Sequence, residues 1–80
     1  MSNLTFKDFR EDIMVALIRY KPEDLRRGQF VFNYINERYS VARCVQYVDG
    51  VDCLYDDEKI EEFIVRSYMF LMGIDNVNRK

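Results

Sequence analysis

The stretch from Val48 to Glu58 holds the side chains with the greatest capacity for chemistry in this 80-residue chain. Its sequence is VDGVDCLYDDE, which contains no base and the following five acids: Asp49, Asp52, Asp56, Asp57 and Glu58. Carboxylates in this number can bind Mg²⁺ or Ca²⁺, act as a general acid and base, or face a positively charged partner. They can also serve as turn residues and helix caps, which are structural roles.

The spacing of these acids argues against the common metal sites. A calcium loop of the EF-hand type needs acids at every second position and then a glycine. After Asp49 the next alternate position is Val51, and Gly50 comes too early. Structural zinc is disfavoured because the chain has no His and only two Cys. We therefore expect no metal and no cofactor, although a looser Mg²⁺ or Ca²⁺ site at Asp49, Asp52 and Asp56 stays open.

The residues needed for catalysis are also missing. Without His, no Ser–His or Cys–His nucleophile can be assembled. The three glycines are isolated from one another, so no glycine-rich loop is available to cradle a phosphate. A carboxylate pair needs a pocket that separates the two pKa values, and nothing in the sequence marks one. We predict that the protein is not an enzyme and has no catalytic residues.

The composition predicts a folded, soluble domain. Hydrophobic residues make up 49% of the chain and aromatic residues 15%, which is too apolar for a disordered chain. The net charge of -2 lacks the basic excess that duplex binding needs, so nucleic acid is disfavoured as a partner. The longest apolar run, 13–18, is far shorter than the roughly 20 residues that span a bilayer. With no secretion signal and no Cys-x-x-Cys motif, we predict a cytoplasmic protein, and a disulfide between Cys44 and Cys53 stays open.

A capping signal and an apolar face predict the first helix. Thr5 is the expected N-cap, with Asp8 three residues later as in a capping box. We expect the helix to end near Tyr20, because Pro22 pushes Lys21 out of the α region. The apolar residues recur at helical spacing: Phe6, Phe9, Ile13, Leu17 and Tyr20, widened by Met14 and Ile18.

The middle of the chain predicts a second helix that starts between Glu23 and Gly28 and ends near Tyr39. It is apolar around most of its circumference, which is typical of a helix packed on several sides. A short helix should follow, from Ser40 as its N-cap to about Tyr47. The alternative, a β-hairpin over 41–55 with its turn at Asp49-Gly50, stays open.

The last helix has signals at both ends. Asp56 or Asp57 is expected to cap its start. Gly73 is expected as the C′ residue, with Ile74 folding back on Met69. The sum is an all-α single domain over 1–80, a small bundle of three longer helices and one short helix with a frayed tail at 73–80.

A basic cluster surrounds the turn between the first two helices and consists of Arg19, Lys21, Arg26 and Arg27. It fits a solvated face, or pairing with the chain's own acidic segment. It also fits a contact in which residues 19–27 of one copy meet residues 49–62 of another, giving a homodimer. The alternative function is direct nucleic-acid binding through this cluster. A second alternative is an acidic mimic of DNA.

The acidic stretch itself has two interpretations. In the structural one, Asp49-Gly50 forms a turn and the acids after Tyr55 start a helix. In the other it contacts a protein partner, with Tyr55 as the anchor. The partner-binding residues expected on that interpretation are Asp49, Asp52, Tyr55, Asp56, Asp57, Arg26 and Arg27. Aromatic and Met side chains in surplus of a small core are a further sign of an interface; the candidates are Phe30, Tyr34, Tyr68, Phe70 and Met72.

Residues 27–63 carry a pattern that resembles a set of small uncharacterised proteins from phages and prophages. The pattern consists of Gly28-Gln29 opening a helix, Phe32-Asn33, Asp52 in a short loop, Tyr55-Asp56-Asp57, and Ile60 with Phe63. Relatives of this kind often have Pro in place of Cys53 and an aromatic residue in place of Leu54.

The resemblance implies a phage-type accessory protein in the host bacterial cytoplasm. It would be built from several helices with a fixed loop. It implies that Tyr55, Asp56 and Asp57 hold that loop to the last helix. Gln29 and Asn33 would hydrogen-bond the loop's backbone. Action on host machinery, including inhibition of host defence, is an expectation from this class of protein.

Overall fold

Four α-helices and one 3₁₀ turn make up the computed structural model, which describes residues 4–73. In chain order they are α1 (Phe6–Tyr20), α2 (Arg27–Tyr39), α3 (Ala42–Asp49), the 3₁₀ turn (Asp57–Lys59) and α4 (Ile60–Met72). No strand occurs within 4–73, so the all-α class with one short helix is confirmed and the hairpin over 41–55 is wrong.

Helix α1 begins as its capping signal predicts. Thr5 is extended and its Oγ1 accepts a hydrogen bond from the Asp8 N–H at 3.1 Å. Phe9, Ile13, Ala16 and Leu17 are buried, but Ile18 is 81% exposed and Tyr20 69% exposed. These last two belong to the apolar face that the spacing predicts, but the structure leaves them exposed. Ile18 is rotated by roughly 100° from Leu17 towards solvent, and Tyr20 ends the helix.

The α2–α3 junction differs from the prediction at Ser40. This residue adopts a left-handed conformation, with φ at 62°, and its N–H bonds the carbonyls of Asn36 and Ile35. Ser40 therefore ends α2, and it is not the N-cap of the next helix, which would need extended backbone. Helix α3 begins two residues later, after Val41.

Helix α2 is the centre of the bundle, as its apolar circumference predicts. Helices α1, α3 and α4 and the 3₁₀ turn all pack on it. Phe32 of α2 stacks on Phe63 of α4, with ring centroids 5.4 Å apart. The largest fully buried side chains come from all four helices and the loop before the 3₁₀ turn: Phe9, Phe63, Ile13, Ile35, Ile64, Val31, Val45, Cys53 and Ser67.

The last helix ends at the expected residue, but it begins at Ile60, after a 3₁₀ turn that takes the expected cap. Asp56 Oδ1 accepts from the Glu58 N–H at 3.0 Å and caps the 3₁₀ turn that leads into α4. Gly73 is left-handed, and its N–H bonds the Phe70 carbonyl at 3.2 Å. The expected contact of Ile74 and the frayed tail after Gly73 lie outside the described residues. Between residues 4 and 73, none of the helices combines the length and apolar character needed to cross a bilayer.

Candidate interaction surface

The loop over residues 50–56 joins α3 to the 3₁₀ turn. This loop and the first residue of the turn are held against the start of α2 by three hydrogen bonds. Asp57 Oδ1 accepts from the Gly28 N–H at 2.8 Å, and Cys53 Sγ donates to the Gly28 carbonyl at 3.2 Å. Arg26 Nη2 donates to the Leu54 carbonyl at 2.9 Å. We call these three bonds the latch. Asp57 thereby satisfies an N–H at the start of a helix that has no cap from its own N-cap residue.

Gly28 allows this close approach because it has no side chain. A Cβ at this position would overlap the Cys53 carbonyl oxygen and come within 2.8 Å of Asp57 Oδ1. The glycine at the start of α2 is therefore a packing requirement of the latch.

Asp52 fixes the loop from within. Its Oδ1 accepts from the Leu54 N–H and its Oδ2 from Gln46 Nε2, both at 3.1 Å. Gln46 thus takes the loop-binding role that the resemblance implies for Gln29 and Asn33, neither of which hydrogen-bonds the loop in this structure. The structure therefore assigns turn and cap roles to three acids: Asp52, Asp56 and Asp57.

These roles leave the charge of the acidic stretch unneutralised. The donors that bond its carboxylates are backbone N–H groups and the Gln46 amide, all neutral. Within residues 4–73 the ion pairs are Arg10–Glu61, Arg38–Asp12 and Lys59–Glu62. None of them includes an acid between Asp49 and Glu58, so these five charges have no ion-pair partner among residues 4–73, and those of Asp56, Asp57 and Glu58 are exposed.

The basic cluster is unneutralised as well. Lys21 Nζ donates to the carbonyls of Pro22 and Leu25, and Arg26 donates to a carbonyl of the loop. Arg19 and Arg27 are exposed. No ion pair joins this cluster to a carboxylate in the described part of the chain, so pairing with the chain's own acidic segment is wrong.

The latch nevertheless brings charges of both signs to one place. We define the α2–loop surface as the exposed side chains of Arg26, Arg27, Tyr55, Asp56, Asp57 and Glu58. Tyr55 is 78% exposed and makes no hydrogen bond, so it does not hold the loop as the resemblance implies. Of the other expected partner-binding residues, Asp52 is half-buried in its turn, and Asp49 is half-buried with its Oδ2 lacking a hydrogen-bond partner.

The exposed aromatic side chains are not those expected to be in surplus. Phe30, Tyr34, Tyr68 and Phe70 are half-buried against the core, and Met72 is 41% exposed. Tyr47 on α3 is 91% exposed and was not singled out. Its position on the helical wheel could have identified it, because it lies opposite Ala42 and Val45, which are buried.

A polar cluster between α1 and α2 was also missed. Asp12 accepts hydrogen bonds from the hydroxyl groups of Tyr34, at 2.7 Å, and Tyr39, and from Arg38 Nε at 3.0 Å. Burial opposes ionisation of Asp12, but these donors and the Arg38 charge outweigh it and lower the pKa of its carboxyl. Burial and the Asp12 charge raise the pKa of Tyr39 to about 12, and they raise that of Tyr34 as well. The cluster ties two helices together and is structural.

The two cysteines are free thiols in different environments. Cys44 is exposed and Cys53 is buried, so the disulfide between them is not formed. Burial is the main cause that raises the pKa of the Cys53 thiol to about 12, which disfavours the reactive thiolate. Between residues 4 and 73, no three His, Cys, Asp or Glu side chains are grouped to hold a metal ion.

Comparison with known proteins found no match among protein-family models, curated proteins or solved structures. The resemblance to phage and prophage proteins therefore stays a prediction. It rests on the pattern in residues 27–63. Two positions of that pattern now have a structural explanation, because Gly28 and Asp57 form the latch.

Proposed function

We propose that this chain is a small protein-interaction module, and that the α2–loop surface is its contact with a partner protein. The observation that supports this most is the set of uncompensated charges around Tyr55. Five acids and the neighbouring arginines have no ion pair among residues 4–73, and the tyrosine between them is 78% exposed. Exposed Tyr and Arg side chains are the types most often found at the centre of protein interfaces.

In this proposal Tyr55 is the anchor and the charges set the orientation of the partner. The second oxygens of Asp56 and Asp57 are not used by the fold, and Glu58 makes no side-chain hydrogen bond. These groups accept from the partner's donors, while Arg27 faces a carboxylate. Asp52 fixes the loop from within, and Asp49 and Asp52 add negative charge at its edge.

The latch makes the surface rigid before it binds. The loop is bonded to α2 at both of Gly28's backbone groups and internally through Asp52. A preformed contact loses less conformational entropy on binding than a flexible loop. The hydrogen bonds within the loop therefore favour binding of a partner as well as stability of the fold.

The narrower form of the proposal is a phage or prophage accessory factor in the bacterial cytoplasm that binds a host or phage protein. Inhibition of a host defence protein is one such activity. Both follow from the resemblance in residues 27–63. Binding of nucleic acid through the basic cluster is less favoured, because Glu23 and Asp24 lie within it and the acidic loop adjoins it.

The test is capture of a partner from bacterial lysate, followed by titration of the purified partner against the chain. The informative variant is Tyr55→Ala with Glu58→Gln, because neither side chain makes a hydrogen bond in the fold. Tyr47→Ala is the matched control, since this tyrosine is also exposed but lies on α3. Substitutions at Asp52 or Asp57 are unsuitable because they would break the loop.

We expect one partner to bind the native chain and the Tyr47 variant, and to lose at least about tenfold in affinity for the Tyr55/Glu58 variant. If the native chain and both variants bound the partner with equal affinity, the contact would lie outside the α2–loop surface. Retention of DNA by the native chain, with steep dependence on salt, would favour the nucleic-acid alternative.

A further inference from the structure

We propose that the α2–loop surface associates with the same surface of a second copy of this chain, related by a two-fold axis. The inference rests on the proposed function, because it takes this surface as a protein contact and names one occupant for it. The observations that carry it are the placement of the two charge signs, their lack of internal pairing, and the exposure of Tyr55.

The positive and negative halves of the surface lie side by side. Arg26 Nη2 is 2.9 Å from the Leu54 carbonyl oxygen, and the Gly28 N–H is bonded to Asp57 Oδ1. The start of α2, with its two arginines, therefore adjoins the acids of 56–58. Despite this proximity, no arginine nitrogen comes within ion-pair distance of these carboxylates.

A surface with adjoining halves of opposite charge is complementary to itself. Rotation by 180° about an axis at their boundary places the positive half of each copy on the negative half of the other, so the attraction occurs twice. An unrelated protein would need the same two-part pattern to satisfy both halves. A second copy of the chain carries the same two halves of opposite charge and therefore satisfies both.

The contact is narrower than the whole basic segment. Glu23 and Asp24 are exposed in the same turn as Lys21, and they offset the positive charge there. The excess of positive charge is concentrated at Arg26 and Arg27, next to the loop. The association therefore centres on the start of α2 rather than on all of 19–27.

Tyr55 supplies the apolar part of the contact. Its ring is exposed beside Leu54, whose carbonyl is bonded by Arg26. In the two-fold arrangement the exposed tyrosine of each copy becomes buried in the contact and supplies its apolar area. Six side chains are few beside the roughly 20–30 residues on each side of a standard interface. The dimer is therefore weak and forms at high protein concentration.

The first experiment is sedimentation equilibrium of the purified full chain, from about 10 μM to 1 mM, in low and high salt. The Debye screening length falls from roughly 30 Å at 0.01 M salt to about 3 Å at 1 M, so salt weakens attraction between exposed charges. We expect a monomer–dimer equilibrium whose association constant falls at least about tenfold between 0.02 M and 0.5 M salt. An ideal monomer at 1 mM in low salt would overturn the inference.

The second experiment uses complementary charge reversals. Arg27→Glu and Glu58→Lys each place like charges opposite one another, so each variant alone is expected to be monomeric. Mixed in equal amounts they restore attraction at both pairs, and a heterodimer should form. Lys7→Glu with Glu11→Lys is the matched control pair on the exposed side of α1, and both variants should dimerise like the native chain. Circular dichroism verifies that each variant is folded.

The outcomes separate this inference from the proposed function. Failure of the two reversed variants to associate when mixed, while the native chain dimerises, would place the dimer on another surface. A monomeric native chain that still binds a lysate protein through Tyr55 would refute self-association and leave the proposed function intact. Dimerisation that competes with partner binding would show that both use the α2–loop surface.

Discussion

At the residue scale, Gly28 has the most demanding position in the structure. Its N–H and its carbonyl both serve the latch, and the space where a Cβ would stand is filled by the Cys53 carbonyl oxygen. Cys53 in turn is fully buried against α2. Both residues are therefore needed for the loop to lie close to the helix.

Gly28→Ala is expected to destabilise the fold by about 1–3 kcal/mol, the usual cost of adding a methyl group to a packed site. The added Cβ would move the loop, because the atom it meets belongs to the backbone and cannot rotate away. Urea unfolding measures the change. Asn33→Ala, at an exposed position on the same helix, is the control and should be close to neutral. An equally stable Gly28 variant would show that the loop does not need this close approach.

The Asp12 cluster predicts a loss of stability in acid. The folded-state pKa of Asp12 is lowered below its usual 3.8, so its contribution is present above that pH and is lost as the pH falls through the folded value. Thermal unfolding from pH 7 to pH 2 should show a decline below 3.8 that Asp12→Asn makes shallower. Asp8→Asn would not serve as a control because Asp8 lies in the first turn of α1. Glu11→Gln, exposed on the same helix, should leave the decline unchanged.

The same cluster predicts a loss of stability in alkali. The pKa of Tyr39 is raised to about 12 by burial and by Asp12, above its usual 10.0. A raised folded-state pKa contributes stability that is complete below the unfolded value and is lost as the pH rises through the folded one. Unfolding followed by circular dichroism should therefore set in between 10.0 and about 12. Tyr39→Phe should flatten that decline, whereas Tyr47→Phe, which is exposed, should not.

At the element scale, helix ends could be predicted where the signal is local. Thr5, Asp56 and Gly73 take their expected places because each bonds backbone groups within four residues. Ser40 was misplaced because serine commonly caps a helix start, and nothing nearby marks it as a left-handed helix end. By residue type, a left-handed helix end is signalled by Gly and sometimes by Asn, and Ser40 is neither.

The candidate site was predictable only in part for a related reason. The cap role of Asp56 follows from neighbouring residues and was predicted, whereas the turn formed by Asp52 was not. The latch joins residues 25 or more positions apart, and the donors to Asp12 are more than 20 positions away. Contacts of this range depend on how helices pack, so composition and spacing gave no sign of them.

The left-handed Ser40 offers a stabilising substitution. Ser40→Gly removes the cost of a Cβ at positive φ, roughly 1–2 kcal/mol, and adds the greater chain entropy of glycine in the unfolded state. We expect a net gain of about 0.5–1 kcal/mol in the free energy of unfolding, measured in urea. Ser40→Ala keeps the Cβ and should give no gain. If both variants were equally stable, the left-handed conformation would carry no strain at this position.

At the scale of the whole molecule, most of the stabilising contacts lie between the helices, whereas the uncompensated charges lie on the loop and the start of α2. The core joins all four helices and includes Cys53 of the loop, and the aromatic pairs and the Asp12 cluster join α1, α2 and α4. The loop is attached to this body through the latch and through the buried side chain of Cys53. We expect the loop to open without unfolding of the helices, because local stability is set by local contacts.

This arrangement predicts two very different rates of thiol labelling. Cys44 is exposed and should react at once with a thiol reagent at neutral pH. Cys53 is buried and its thiol pKa is raised to about 12, so it should react only when the loop opens. Mass spectrometry of labelled peptides over time measures both rates.

Asp57→Asn weakens the latch and should speed the labelling of Cys53 by at least about tenfold without changing that of Cys44. Glu58→Gln, which removes a neighbouring charge but no hydrogen bond, should change neither rate. If Asp57→Asn speeds the labelling of Cys53 and leaves the free energy of unfolding of the whole domain unchanged, the latch is a unit that opens separately. If labelling instead tracked the unfolding of the entire domain in every variant, the loop and the helices would form one cooperative unit.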